Sequence, residues 1–160
     1  MFIAADGLNY EDANSYVSTE YADAYFSLRG NEIWAAATTN QKEVALVKAT
    51  DYIDQTYGQR WIGSKYRMTG LEWPRYCTVY DADTIPENLK KATCELALEA
   101  LTTPLNQAIT RERAVKREKV DIIEVEYSDT GTMPTIYPAV TGYLSSLLSG
   151  STFNRKVVRV

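Results

Sequence analysis

"PENLKKATCELALEAL" spans Pro86–Leu101, and its apolar residues recur at helical spacing. Leu89, Thr93, Leu96, Ala97 and Ala100 form one stripe along a helix, while the lysines and glutamates fall between them. Pro86 suits the first turn, following Thr84 or Ile85, because its missing N–H is one that a helix start leaves unpaired anyway. Pro104 stops the run, since a proline inside a helix removes a hydrogen bond and clashes with the preceding turn. A helix of this length needs apolar partners, and the flanking sequence supplies them.

Towards the N-terminus, Asn40 and Glu43 have the spacing of a capping box and predict the start of a helix ending at Gly58. Its inward line is Leu46, Ala49 or Thr50, Ile53 and Tyr57. Ser18 or Thr19 caps an earlier helix through Leu28, closed by Gly30, with Tyr21, Ala24, Tyr25 and Leu28 on one face. A short helical turn is expected around "EIWAAA" (32–37), and residues 1–17 read as an extended lead-in. Towards the C-terminus, a last helix starts near Tyr137 or Pro138. It turns Val140, Tyr143 or Leu144, Leu147 and Leu148 inward, and ends at Gly150. Between these helices, Ile123, Val125 and Tyr127 alternate with Glu124 and Glu126 in the manner of a strand, and "GTMP" (131–134) reads as a turn. The expected fold is therefore mostly α: a small bundle of about four helices, with a β-strand or hairpin inserted at about 115–128. Residues 1–150 form one domain and 151–160 an extended tail.

A length of 160 residues, 45% apolar and 24% charged, is ordinary for one globular domain. No signal peptide and no membrane span are expected, because no basic leader or long apolar run occurs. Cys77 and Cys94 read as reduced thiols. The net charge of −4 disfavours general attraction to nucleic acid but leaves room for a local basic surface. Histidine is absent, which removes the commonest general base and metal ligand. No metal spacing, phosphate-binding glycine loop or nucleophile motif appears, so neither an enzyme nor a cofactor is expected. Twelve tyrosines suit packing or an assembly surface.

Two stretches carry more information. Arg60, Trp61, Lys65, Tyr66, Arg67, Trp73, Arg75 and Tyr76 interleave cations with aromatic rings, the composition of a surface that stacks bases and tracks phosphates. The simpler reading is a long loop folded over the helices with Trp61 and Trp73 as core plugs. In that reading Pro74 holds Trp73 extended, its indole points inward, and Arg75 reaches a carboxylate. The second stretch changes sign. Arg111, Arg113, Lys116, Arg117 and Lys119 precede Asp121, Glu124, Glu126 and Asp129. Such a segment pairs head to tail with another copy, or neutralises itself as a hairpin within one chain.

Taken in order, "SYVSTEYADAYF", "KATDYIDQTYG", "LEWPR", "IPENLKKATCELALEAL", "VKREKVDIIEVEYSD" and "YPAVTGYLSSLL" resemble the head–tail connector, or adaptor, proteins of tailed bacteriophages. These include a phage family labelled DnaT-like. Asp121 departs from the pattern, in which glycine tends to follow "EKV". The resemblance implies a structural adaptor: a homo-oligomeric ring of twelve subunits docked on the portal protein, with tail, nozzle or tail-completion proteins on its far side. Genomic double-stranded DNA would pass through the lumen without specific binding, no membrane would be involved, and the protein would lie at the head–tail interface of a virion assembled in the bacterial cytoplasm. The expected subunit interface is Lys116, Arg117, Lys119, Ile123, Glu124, Val125, Glu126 and Tyr127. The tail positions Arg155, Lys156, Val157, Val158 and Arg159 would enter the portal. Trp73, Pro74 and Arg75 form a structural loop. The DnaT-like label implies an alternative, a single-stranded DNA-binding replication protein using Arg60, Trp61 and Arg67.

Overall fold

The structure, a computed structural model, describes residues 1–5, 10–65, 69–105, 118–120, 123–125 and 137–149. It contains two compact units, residues 1–105 with 137–160 and residues 106–136.

Among the described residues the first unit holds five α-helices: α1 (Thr19–Ser27), α2 (Glu32–Ala36), α3 (Thr39–Tyr57), α4 (Glu87–Thr102) and α5 (Pro138–Leu144). The mostly α expectation therefore holds, with the turn at "EIWAAA" realised as α2. Helix α4 packs against both α3 and α5, and α1 lies against α3 and α4. The core is built from Leu46 and Ile53 of α3, Leu89 and Leu96 of α4, and Val140 and Leu144 of α5, with Phe26 and Trp34 beneath. Burying each such side chain contributes about 1.5–3 kcal/mol, so the α4 stripe is what holds the bundle together. Ala100, expected on that stripe, is only half buried, whereas Cys94 is fully buried.

The helix starts follow local chemistry. Ser18 Oγ accepts from Tyr21 N at 3.3 Å to cap α1. Asn31 caps α2 through Trp34 N at 2.9 Å. The start of α3 corrects the expectation: the capping box joins Thr38 and Gln41 rather than Asn40 and Glu43. A threonine hydroxyl two residues earlier intercepts the orphan N–H groups first and lengthens the helix by about half a turn. The extended lead-in is pinned by Ala5 N to Ser15 O at 2.8 Å and by Tyr16 N to Thr50 Oγ1 at 3.2 Å.

The connection from Gly58 to α4 contains elements the sequence did not announce. A 3-10 turn (Gly58–Arg60) leads to β1 (Ser64–Lys65), which pairs antiparallel with β2 (Arg75–Tyr76). The register sets Ser64 opposite Tyr76 and Lys65 opposite Arg75. With two residues each, these strands are too short to show alternation. Trp61 forms a bridge with Leu148, and Ser149 N donates to Arg60 O at 2.6 Å, so the end of the last helical segment clamps the base of this ribbon.

In the second unit, β3 (Glu118–Val120) and β4 (Ile123–Val125) pair antiparallel, with Lys119 opposite Glu124. The described part of the sign-changing stretch thus pairs within one chain, a basic position opposite an acidic one. Lys116, Arg117, Glu126, Tyr127, the expected turn at 131–134 and the tail positions Arg155, Lys156, Val157, Val158 and Arg159 lie outside the described residues.

Candidate nucleic-acid interface

The β1–β2 ribbon rests on a buried polar scaffold. Arg75 is 8% exposed, and its guanidinium is spent inside the protein. Nε donates to Ile62 O at 2.9 Å, Nη2 to Gly63 O at 3.0 Å, and Nη1 to Glu72 O at 3.2 Å and Glu72 Oε2 at 3.0 Å. The other oxygen of Glu72 meets Lys65 Nζ at 3.1 Å, so one carboxylate ties the two strands together. Glu72 is itself held by its backbone, whose N–H donates to Asp54 Oδ2 at 3.1 Å. The second oxygen of Asp54 accepts from the Tyr16 phenol. Burial pushes the Asp54 carboxyl up to about 6, against the lowering effect of those two hydrogen bonds. Burial and the neighbouring Asp54 charge hold the Tyr16 phenol well above its usual range, so it remains a donor.

The tryptophans complete the scaffold. Trp73 is 0% exposed and Trp61 4%. They meet edge to face at 5.9 Å, with Tyr57 6.1 Å from Trp61 and Tyr80 6.1 Å from Trp73. The Trp73–Pro74 peptide is cis. The core-plug reading of this loop is therefore the one observed, with the indole inward and Arg75 on a carboxylate. Trp61 is corrected as a base-stacking residue, because its ring is enclosed by other rings and offers no face to a base.

The outer surface of the same ribbon has a different character. Arg60 is exposed, its guanidinium 5.9 Å from the centroid of Tyr57. Lys65 is exposed on β1, and Tyr76, on β2, is 43% exposed. Val79 follows at 89%. Along the ribbon Trp61, Trp73 and Arg75 form a buried inner set and Arg60, Lys65 and Tyr76 an exposed outer set, with Lys65 on the face of its partner Arg75 and Tyr76 on the opposite face. Arg67 lies outside the described residues. Sequence reasoning missed Asp54 and Glu72 as supports. Glu72 stands beside "WPR" and could have been suspected, whereas Asp54 looks like any solvated helix aspartate.

Among the described residues no group of three or more His, Cys, Asp or Glu could hold a metal ion, and no helix is long and apolar enough to cross a membrane. Cys94 is buried, and its thiol is pushed up to about 12, mainly by that burial.

A family model described as "Putative DnaT-like ssDNA binding protein" matches residues 1–160. No curated protein and no solved structure matches the chain. The family match overturns the head–tail connector expectation, since no connector family is matched and the matched model covers the whole length. The portal and tail-side partners, and the ring's twelve subunits, rested on that resemblance alone. There is a physical reason for the misreading. "LEWPR" encodes a packing device, with Leu71 and Trp73 buried and Arg75 saturated, and a fold-level device of this kind carries no function by itself.

Proposed function

The chain belongs to the family of DnaT-like ssDNA binding proteins, and from that premise we propose that it binds single-stranded DNA, as a binding protein rather than an enzyme. The whole-length family match carries the reading. The outer set on the ribbon supports it: Arg60 and Lys65 supply cations for phosphates, and Tyr76 supplies a ring on which an unpaired base can stack. Single strands suit this surface better than duplex, because the bases of a duplex keep their faces stacked on one another and closed to a protein ring. With a net charge of −4 the attraction is local, so binding is weak at high salt.

Fluorescence anisotropy with a labelled oligothymidine of about 15 nucleotides tests the proposal. Binding is expected at micromolar protein and low salt, and an equal concentration of duplex should compete poorly. Arg60→Ala and Lys65→Ala should each lower the salt slope by about 1, the signature of a lost phosphate contact. An unchanged anisotropy at low salt across the micromolar range would sink the reading.

A further inference from the structure

A cleft of roughly 370 Å³ opens between the N-terminal lead-in, the start of α1 and the loop before α4. Tyr10, Tyr16 and Tyr21 line it, with Ser18, Thr84 and Lys90. Each phenol is already tied to the protein: Tyr10 donates to the Asp83 carbonyl, Tyr16 to Asp54 and Tyr21 to Glu87. Those bonds fix the three side chains; Tyr16 is only 1% exposed, so the half-buried Tyr10 and Tyr21 supply the aromatic surface an occupant would meet. Lys90 Nζ stands 5.5 Å from the Tyr21 centroid. It has no ion-pair partner among the described residues, and Glu87 lies 4.0 Å from Lys91 instead.

The cleft adjoins the ribbon. Gly70, in the segment joining β1 to β2, donates its N–H to the Tyr10 carbonyl at 3.3 Å. The segment that joins the two strands thus touches the rim of the cleft at Tyr10. The volume lies at the lower end of the roughly 300–1,000 Å³ typical of small-ligand pockets, which suits one base and its sugar rather than a folded segment.

We propose that this tyrosine cleft is a base-binding subsite on the path of the single strand, holding one unpaired base among the rings with an adjoining phosphate on Lys90. The inference rests on the single-strand reading above. Ring stacking tolerates any base, and the Asp83 and Thr84 side chains at the rim can accept from an exocyclic amino group.

The test uses the full chain and an oligothymidine bearing a photoreactive 5-iodouracil at each position in turn. Crosslinks are expected at Tyr10 or Tyr21, found by peptide mapping. Lys90→Glu and Tyr21→Leu should each weaken oligonucleotide binding about 10-fold, while Lys48→Glu, on the exposed face of α3, serves as the control for general charge and should change it far less. Circular dichroism establishes that Tyr21→Leu is folded, and Lys90→Glu decides the matter if it is not. Wild-type affinity in Lys90→Glu, with crosslinks confined to Tyr76, overturns the cleft and leaves the ribbon reading standing. No binding by the wild-type chain overturns both. Tight competition by free thymidine monophosphate overturns the strand assignment and makes the cleft a mononucleotide site.

Discussion

Glu72 Oε2 lies 3.0 Å from Arg75 Nη1 across a single turn of chain, and the carboxylate's other oxygen lies 3.1 Å from Lys65 Nζ. One buried guanidinium and one exposed ammonium therefore share an anion, and they do different work. Arg75 closes the ribbon from inside, whereas Lys65 faces the solvent.

Arg75→Ala should consequently act on stability before it acts on binding. It strips donors from the Ile62, Gly63 and Glu72 carbonyls and leaves Glu72 without its inner partner. Breaking a buried pair of this type costs about 3–5 kcal/mol. Urea denaturation should show the unfolding free energy falling by a matching amount, and Lys65→Ala should lower it by less than about 1 kcal/mol, as expected of an exposed pair. Equal effects of the two substitutions would contradict the division.

Asp54 makes a pH prediction whose sign is opposite to the usual one. Burial raises its carboxyl from 3.8 to about 6, so between these values the folded chain holds a proton that the unfolded chain has lost. Stability is present at the low end of that window and falls as pH rises through it. Asp51, raised by burial, adds in the same direction, while Asp23, held low by Lys42 and Trp34 although burial opposes them, contributes the reverse below its usual range. Asp54→Asn should flatten the decline between about pH 4 and about pH 6, measured as urea midpoints. A wild-type curve that rises monotonically across the window, and is parallel in the variant, would count against the burial argument.

Gly63 is the one glycine that the ribbon cannot replace. Its φ is +71°, and a Cβ there would stand 2.1 Å from the Tyr76 carbonyl oxygen and 2.6 Å from Thr78 Cγ2. Gly30 has a similar φ of +61° but open space around it. Gly30→Ala should cost about 1–2 kcal/mol from the left-handed backbone alone. Gly63→Ala should exceed that clearly and should disturb the pairing of Ser64 with Tyr76, visible as shifts of their amide resonances.

The thiols should separate cleanly. Cys77 is exposed, and Cys94 is buried with its thiol pushed up to about 12. A maleimide added to native protein should label one site rapidly, and the second only at the rate of unfolding. Fast labelling of both would show that α4 is not the packed centre described above.

The helices were legible because their evidence is local. Leu89, Thr93, Leu96 and Ala97 declare a buried face through spacing alone, and Gly58 and Pro104 mark where helices stop. Where two local signals competed, as with Thr38–Gln41 and Asn40–Glu43, spacing could not rank them, because the outcome depends on which hydroxyl reaches the first free N–H groups. The β1–β2 ribbon was not legible at all. Its strands are two residues long, and what holds them is Glu72 and Asp54, which come together only when α3 and the connection pack.

Composition determined that Arg60 to Tyr76 would interleave cations with rings, and that basic residues would precede acidic ones between Arg111 and Asp129. Which of those rings and cations meet solvent was decided by the tertiary structure. Trp61 is enclosed because Tyr57, Trp73 and the bridge to Leu148 converge on it from three parts of the chain. Arg75 is saturated because three carbonyls and a carboxylate are brought around one guanidinium. Burial of a side chain is a property of its neighbours in space, and those neighbours come from segments that the local pattern of the chain does not relate to one another.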